Sequence, residues 1–272
     1  RGESSHFVWL NRSKESLTLD VKHPDAREVL RRLLDRTDVF VQNLAPGATG
    51  RLALSAATLR DAHPRLVVCE ISGYGSSGPY RDRKAYDLLV QAEAGLLSIT
   101  GTAEEPVKVG ISVADIAAGM YAYSGILTAL LMRHRTGEGT VLEVSMLEAL
   151  GEWMAFPFYY GTYGGTPPKR SGARPAVIAP YGPFAGGDGD VVYLGVQNER
   201  EWQGFCEQVL GRPELADDPR FASNAARVEH QPALDVEVEQ VFGRLTTPEI
   251  LERLETARIA SARLRTVQQF AD

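Results

Sequence analysis

One carboxylate stands out among small and apolar residues in the middle of the chain. Asp115 lies in segment 109–120, whose other members are glycine, alanine, serine, valine, isoleucine and methionine. An isolated carboxylate is costly to bury unless it is paired or lies at a helix start. One interpretation is an N-cap aspartate, which stabilises a helix by about 1 kcal/mol. The other is a nucleophile or base that its small neighbours leave accessible and a helix N-terminus tunes. The residues alone leave both open.

Two further segments have the composition of phosphate-binding loops. Residues 73–78 match the G-x-G-x-x-G pattern directly after an apolar run. In a dinucleotide-binding fold the third glycine opens a helix, and an acid follows about 20 residues on. Here Pro79 and Tyr80 follow instead, so we interpret the loop as part of an active-site wall and not as an NAD site. Arg12 and Lys14, between two predicted strands, either bind phosphate or belong to an ordinary solvated turn.

Other kinds of catalysis find no support in the sequence. There is no G-x-S-x-G motif for a serine nucleophile, and the five histidines form no H-x-x-x-H pair for a metal. Cys69 and Cys206 lie far apart, which excludes a disulfide framework and a structural zinc site and favours a reducing, cytoplasmic location.

The composition is that of a soluble globular protein. Of the 272 residues, 44% are hydrophobic and 24% are charged. The net charge of −6 argues against nucleic acid as a partner, because phosphate binding favours a basic surface. No apolar run approaches the roughly 20 residues that span a bilayer, so no membrane partner is expected.

The hydrophobic pattern predicts an α/β protein. Strands are predicted at residues 7–10, 16–20, 39–41, 65–72 and 140–144, and helices at 24–34, 56–63, 84–100, 113–135 and from 145 on. This alternation is typical of a parallel sheet. Glycine and proline then crowd segment 161–190. A hairpin turn at Asp188 and Gly189, a strand at 191–196 and helices at 199–210 and 248–257 predict a smaller α+β unit.

Seven short motifs in order along the chain resemble one family, the class III CoA-transferases of the CaiB/BaiF type, which includes formyl-CoA:oxalate transferase. The motifs cover nearly the whole chain. They are NRxK (11–14), LTLD (17–20), VQNLAPGxxxRL (41–52), SGYGxxGP (72–79), YDxxxQAxxG (86–95), GxxxADxxxG (110–119) and RTGxG (135–139).

The resemblance implies reversible CoA transfer between an acyl-CoA donor and a carboxylic acid acceptor, with coenzyme A as substrate and neither metal nor NAD. Asp115 would be the nucleophile, forming an acyl-aspartyl anhydride and then an aspartyl-CoA thioester, and Tyr86 would lie beside the thioester. The residues expected to bind CoA are Arg12, Lys14, Leu19, Asp20, Val21, Lys22, Asn43, Leu44, Ala45, Arg51, Lys84, Ala85 and Asp87.

Tyr86 separates transfer from its first alternative, an acyl-CoA racemase or epimerase of the same superfamily. Those relatives tend to carry histidine at the matching position as a proton-transfer base, and a phenol is a poor substitute. Tyr86 therefore favours transfer. A non-catalytic CoA-binding protein is the second alternative, and the joint presence of Asp115 and Tyr86 argues against it.

Segment 170–175 bears on the acceptor acid. Formyl-CoA transferases have a run of glycines in the corresponding loop, whereas this chain has only Gly172, flanked by Arg170 and Arg174. Two arginines suit the far carboxylate of a dicarboxylic acid. Residues 159–184 resemble family members that act on itaconate, mesaconate, citramalate or succinate, so a small dicarboxylate is the expected acceptor.

The implied architecture is a Rossmann-like CoA-binding domain at residues 1–160, a Gly/Pro-rich linker at 161–185 and a small α+β domain at 186–272. The resemblance also implies an interlocked homodimer. Because family members are longer, we expect a first strand and helix before Arg1 and a return segment after Asp272. Residues 1–272 expressed alone are then expected to be inactive.

Overall fold

The computed structural model describes residues 2–271, which divide into two compact units. The first unit comprises the residues up to Ala94 together with Ile111–Trp153, and the second comprises Gly95–Gly110 together with the residues from Met154 on. The predicted domain limits of 1–160, 161–185 and 186–272 stay predictions, because compactness alone does not define a domain that folds independently.

The first unit is built around a three-stranded parallel sheet. Helices α1 (Ser5–Leu10) and α2 (Pro24–Leu34) precede β1 (Val39–Gln42). Helices α3 (Ala48–Arg51) and α4 (Ala56–Ala62) lead to β2 (Val67–Ser72), and α5 (Asp87–Glu93) and α6 (Val113–Thr136) lead to β3 (Val141–Ser145), which runs into α7 (Met146–Trp153). The strand order is β1-β2-β3 with all pairs parallel, which confirms the predicted α/β class.

Two predicted strands at the start of the chain are wrong. Residues 7–10 belong to α1, where the Ser4 hydroxyl caps the helix by accepting from the Phe7 amide at 3.1 Å. Residues 16–20 form no regular element. A four-residue apolar run is too short to show a period, so the cap residue decides its structure.

The helix predicted at 84–100 is also shorter than expected. It begins at Asp87 and ends at Glu93, and Gly95, with φ +78°, turns the chain into a short 3₁₀ helix at Leu96–Ser98. Glycine tolerates this left-handed conformation, which stops an α-helix.

The long helix α6 confirms its prediction and packs through small residues. Its buried positions are all alanine, and Ala117 and Ala118 pack against Ala149 of α7 and apolar residues of β2 and β3. The large apolar side chains lie on the opposite, exposed face: Met120, Tyr123, Leu127 and Leu131. Small buried residues let the helix lie close to the sheet, which brings its first turn to the strand ends.

Among the described residues, α6 alone is long and apolar enough to cross a membrane by length and composition. The apolar runs in the sequence did not predict this. It is weak evidence for a membrane span, since helices that pack against a protein core pass the same test.

The second unit contains an antiparallel sheet under a layer of helices. After α8 (Ala155–Gly164), the hairpin of β4 (Tyr181–Ala185) and β5 (Val191–Gly195) turns at Gly189, with φ +84°, as predicted. Then follow α9 (Glu199–Gly204), a π-helical segment (Phe205–Leu210), a 3₁₀ turn (Pro213–Ala216), α10 (Asn224–Glu229), α11 (Gln231–Phe242), α12 (Thr247–Thr256), β6 (Ala260–Arg263) and α13 (Val267–Ala271). Sheet order is β4-β5-β6. The core is aromatic: Phe184, Trp202, Phe205, Phe221 and Phe242.

Candidate active site

A cavity of about 580 Å³ opens in the first unit where β1 and β2 end and α6 begins. Ligands of parallel α/β sheets bind at this edge, beyond the carboxyl ends of the strands, and the volume suits a small organic ligand. The lining residues come from five segments: Asn43, Leu44, Ala45, Pro46, Ile71, Ser72, Gly73, Arg81, Arg83, Lys84, Ala85, Tyr86, Asp87, Asp115, Ala118, Gly119 and Met146.

A second cavity of about 380 Å³ adjoins the first and shares part of its wall. Three side chains at equivalent positions of β1, β2 and β3 contribute to its lining, namely Gln42, Glu70 and Glu143. The Gln42 amide Nε2 donates to Glu70 Oε1 at 3.2 Å. Together the two cavities make a groove along the strand ends, longer than either alone.

Asp115 is the third residue of α6 and not its N-cap. Ser112 holds the N-cap position, although its hydroxyl makes no capping hydrogen bond. In the described part of the chain no donor reaches the Asp115 carboxylate. The N-cap interpretation is therefore wrong, and the carboxylate is free to meet a ligand in the cavity it lines. Burial, and secondarily the negative charge of Asp87, raise the pKa of Asp115 above its ordinary value.

Glu249 shows what an acid at the same helix position ordinarily does. It is the third residue of α12, and its Oε2 accepts from the Thr246 amide at 2.7 Å and from the Thr246 hydroxyl at 2.8 Å. The hydrogen bonds of this capping box lower the pKa of Glu249, and the bond from the Thr246 amide has the largest effect. Asp115, at the same position of α6, accepts no such hydrogen bonds from the residues that the structure describes, and its pKa is raised instead of lowered.

Asp87 takes the capping role for α6. Its Oδ1 accepts from the Ala114 amide at 2.8 Å and from the Asp115 amide at 3.4 Å. Its Oδ2 accepts from the Gln91 Nε2 at 2.7 Å, and Gln91 is fully buried. The sequence predicted Asp87 as a CoA contact. Although it lines the cavity, both of its oxygens bind protein donors.

The segment before α5 supplies the cations of the cavity. Lys84, Ala85 and Tyr86, which the sequence predicted as site residues, line this cavity, and Tyr86 is 69% exposed. Arg81 and Arg83 also line it, and sequence reasoning missed both. Their proximity to the glycine loop 73–78, already interpreted as an active-site wall, was the available signal.

Two glycines shape the wall of the cavity. A Cβ on Gly73 would lie 2.1 Å from the Cβ of Ala85, so only glycine allows these two segments to approach so closely. Gly119 lies one turn after Asp115 on the same helix, and a Cβ there would meet no atom within 4 Å. Glycine inside a helix costs about 1 kcal/mol relative to alanine, and this chain has no steric need for it at Gly119.

Seven of the predicted CoA contacts lie outside the lining of both cavities: Arg12, Lys14, Leu19, Asp20, Val21, Lys22 and Arg51. The first six belong to the segment between α1 and α2, and Arg51 ends α3. Asn43, Leu44 and Ala45 line the larger cavity, directly after β1. Of the predicted CoA contacts, the structure thus brings together those directly after β1 and those just before and at the start of α5, namely Asn43, Leu44, Ala45, Lys84, Ala85 and Asp87.

The predicted substrate residues of the second unit have protein partners. The Arg170 guanidinium donates to the carbonyls of Thr102 and Ala103 at 2.7 and 2.9 Å. Arg174 pairs with Asp235 at 3.0 Å, and the Gly172 amide donates to the Gly101 carbonyl at 2.7 Å. A role for Arg170, Gly172 or Arg174 in substrate binding stays a prediction.

Within residues 2–271 no cluster of three or more His, Cys, Asp and Glu side chains has a geometry that would hold a metal ion. Cys69 and Cys206 are both free and buried. The titratable groups that line the larger cavity are Asp87, Asp115, Tyr86, Arg81, Arg83 and Lys84, which is a set for carboxylate chemistry beside a cationic rim.

Known proteins resemble the chain over nearly its whole length. It is 34% identical to a succinate–glutarate CoA-transferase of Agrobacterium fabrum over 99% of this chain and 67% of that protein. It is 31% identical to a succinyl-CoA–D-citramalate CoA-transferase of Chloroflexus aurantiacus over the same shares. A crystal structure of a CAIB/BAIF family protein from Brucella suis superposes with a TM-score of 0.83 and 33% identity, over 95% of this chain and 68% of that one.

The family assignment rests on the whole sequence. The chain spans between about half and two thirds of the length of the curated relatives it matches, from 53% to 69%. The sequence model described as CoA-transferase family III matches residues 1–272, which confirms the resemblance expected from the seven motifs. The chain belongs to CoA-transferase family III.

Proposed function

We propose that the protein transfers CoA from an acyl-CoA thioester to a carboxylic acid, with Asp115 as the covalent nucleophile. The observation that carries the proposal is the free Asp115 carboxylate on the wall of the cavity at the strand ends. Membership of CoA-transferase family III supports it. A carboxylate whose pKa is raised by partial burial and by the charge of Asp87 is a stronger nucleophile than an ordinary aspartate, because basicity and nucleophilicity rise together.

The chemistry proceeds without net change in protons or electrons. A carboxylate oxygen of Asp115 attacks the thioester carbonyl, the C–S bond breaks, and an acyl-aspartyl anhydride and a CoA thiolate result. The thiolate attacks the aspartyl carbonyl and releases the donor acid as its carboxylate. The acceptor carboxylate then attacks the aspartyl-CoA thioester, and the thiolate it releases attacks the acceptor's acyl carbonyl, which regenerates Asp115. Covalent steps divide one difficult transfer into easier ones.

The charges of the groove match the two ends of the substrate. Arg81, Arg83 and Lys84 on the cavity rim suit the anionic phosphates of CoA. The wall beside Asp115 includes Ala118 and Gly119, whose small size leaves room for an acyl group. We assign the rim to the nucleotide end and the α6 wall to the thioester end.

A small dicarboxylic acid is the proposed acceptor. The names of the relatives support this class, since they specify succinate, glutarate and D-citramalate. The test is exchange of CoA from succinyl-CoA to a panel of mono- and dicarboxylic acids by the full-length protein, followed by chromatography of the acyl-CoA products. Transfer to dicarboxylates is expected, and the absence of transfer to any acid would contradict the proposal.

Racemisation is the alternative, and incubation in heavy water without an acceptor acid distinguishes it from transfer. A racemase would exchange the substrate α-hydrogen with solvent without an acceptor acid. Tyr86 lines the cavity at the position where related racemases tend to carry the histidine that acts as proton-transfer base, which supports transfer. We expect no solvent deuterium in the acyl-CoA after incubation in heavy water, and its entry would favour the racemase.

We expect Gly119 to be needed for substrate binding and not for the stability of the fold. Gly119→Ala should raise stability by about 0.5–1 kcal/mol through helix propensity, yet reduce kcat/KM for succinyl-CoA by about tenfold, because a methyl group enters the acyl site. Thermal unfolding and steady-state kinetics measure the two effects. Gly151→Ala on α7, where a Cβ also meets no neighbour, is the matched control. Unchanged kinetics in Gly119→Ala would place the acyl group elsewhere.

A tight homodimer is the proposed assembly. Met120, Tyr123, Leu127 and Leu131 form an apolar stripe on α6, each between 49% and 61% exposed, and such stripes mark interaction surfaces. We expect light scattering to give the mass of a dimer for the full-length protein. The Leu127→Glu variant should have a lower measured mass. A wild-type monomer would contradict the proposal.

A further inference from the structure

The contact between Asp87 and the first turn of α6 joins two segments 28 residues apart. Asp87 begins α5, yet its Oδ1 accepts from the Ala114 and Asp115 amides at 2.8 and 3.4 Å. A helix N-terminus leaves its first amides without intrahelical acceptors. A carboxylate from another helix therefore does here what the side chain of an N-cap residue ordinarily does.

Neither Ser112 nor Asp115 caps α6 with its side chain. The Ser112 hydroxyl makes no capping hydrogen bond. Asp115, at the third position, would be the acid of a capping box, as Glu249 is in α12. An Asp115 carboxylate turned back onto its own helix would be held by hydrogen bonds and removed from the cavity. The amides that Asp87 binds are those of Ala114 and Asp115, which an N-cap side chain would otherwise satisfy. Asp87 therefore takes the place of the Ser112 hydroxyl.

Gln91 fixes Asp87 without cancelling its charge. The buried Gln91 Nε2 donates to Asp87 Oδ2 at 2.7 Å, so the carboxylate is held from both sides by neutral donors. A cation in that place would pair with Asp87 and reduce its field at Asp115. The other charged groups on the cavity wall are Arg81, Arg83 and Lys84, all from the segment before α5. The neighbouring residues of α6 and α7, Ala118, Gly119 and Met146, carry no titratable group.

We propose that Asp87 is a positioning residue, which caps α6 in place of the Ser112 side chain and so holds the first turn that presents the free Asp115 carboxylate as the nucleophile. This inference rests on the proposed function. It also predicts the sign of a pH effect, because the negative charge of Asp87 disfavours ionisation of Asp115. When the charge is removed, the acidic limb of the kcat/KM profile moves to lower pH.

The test compares Asp87→Asn, Asp87→Ala and the exposed control Asp61→Asn in the full-length protein. Asp87→Asn keeps the capping oxygen and loses the charge, so the acidic limb should move to lower pH. Asp87→Ala also loses the cap, so kcat should fall by about tenfold, with KM for acyl-CoA nearly unchanged. Amide hydrogen exchange in residues 112–120 should accelerate in Asp87→Ala and not in the control.

Two results would overturn the inference. A raised KM with normal kcat and an unmoved pH profile would make Asp87 a CoA contact, as the sequence suggested. Profiles and exchange rates equal to those of Asp61→Asn would leave Asp87 without a role. Failure of the proposed function looks different, since the wild type itself would then form no acyl adduct on Asp115. When the adduct forms and the Asp87 variants match the control, the inference alone is wrong.

Discussion

Replacing Asp115 with asparagine is expected to reduce CoA transfer by about 10⁴-fold or more, the loss typical of removing a covalent nucleophile. Asparagine has nearly the same shape but no anionic oxygen to attack the thioester. Initial rates of acyl-CoA formation from succinyl-CoA and glutarate measure the effect. Asp115→Ala should lose as much activity, because the carboxylate is the only group of this side chain that reacts.

The fold should survive this substitution. The pKa of Asp115 is raised in the folded protein, so protonation of this group stabilises the fold at low pH, and that stabilisation is lost as the pH rises through the raised pKa. At neutral pH the ionised carboxylate therefore destabilises the fold slightly. Asp115→Asn is expected to unfold at the same temperature as wild type or somewhat higher. Retained transfer in this variant would exclude Asp115 as nucleophile.

Gly73→Ala is expected to have the second largest effect, because it forces the cavity wall apart. The new Cβ would lie 2.1 Å from the Ala85 Cβ, and neither atom belongs to a flexible side chain. Relief requires a backbone shift, at a cost of about 1–3 kcal/mol. The displaced segment carries Tyr86 and Asp87. Because a shift of about 1 Å near a reacting group costs about 10²-fold in rate, transfer should fall by that amount.

The double variant Gly73→Ala/Ala85→Gly provides the control. Removing the Ala85 methyl group clears the clash, so both stability and rate should recover most of the loss, and the two substitutions should be strongly non-additive. Denaturant unfolding gives the double-mutant cycle for stability, and transfer rates give the double-mutant cycle for catalysis. A double variant as impaired as Gly73→Ala would show that the close approach of these segments is not what the glycine provides.

The sequence predicted the elements whose hydrophobic period is long or bounded by clear signals. Helix α6 has 24 residues and ends at Gly137 in a left-handed conformation, so both its type and its end were predictable. The strands β1 to β3 followed from apolar runs between helices. The structure of residues 7–10 was not predictable in this way, because four apolar residues fit a strand and a capped helix equally.

The site was predictable only where its residues carry a local signal. Asp115 stood out by its small neighbours, and the motifs after β1 and before α5 named further cavity residues. The capping of α6 by Asp87 was not predictable, since no local pattern joins residues 28 positions apart. Arg81 and Arg83 were missed for a related reason: a loop without periodicity does not say which of its side chains turn toward a cavity.

The most direct test of the central claim is to trap the acyl intermediate on the protein. The full-length protein is incubated with succinyl-CoA and treated with hydroxylamine, which converts either an aspartyl anhydride or an aspartyl thioester into an aspartyl hydroxamate. Peptide mass spectrometry then locates the modified residue. A hydroxamate on Asp115 that requires acyl-CoA is the predicted result. A hydroxamate on another residue, or none while CoA transfer proceeds, would contradict the assignment of Asp115 as nucleophile.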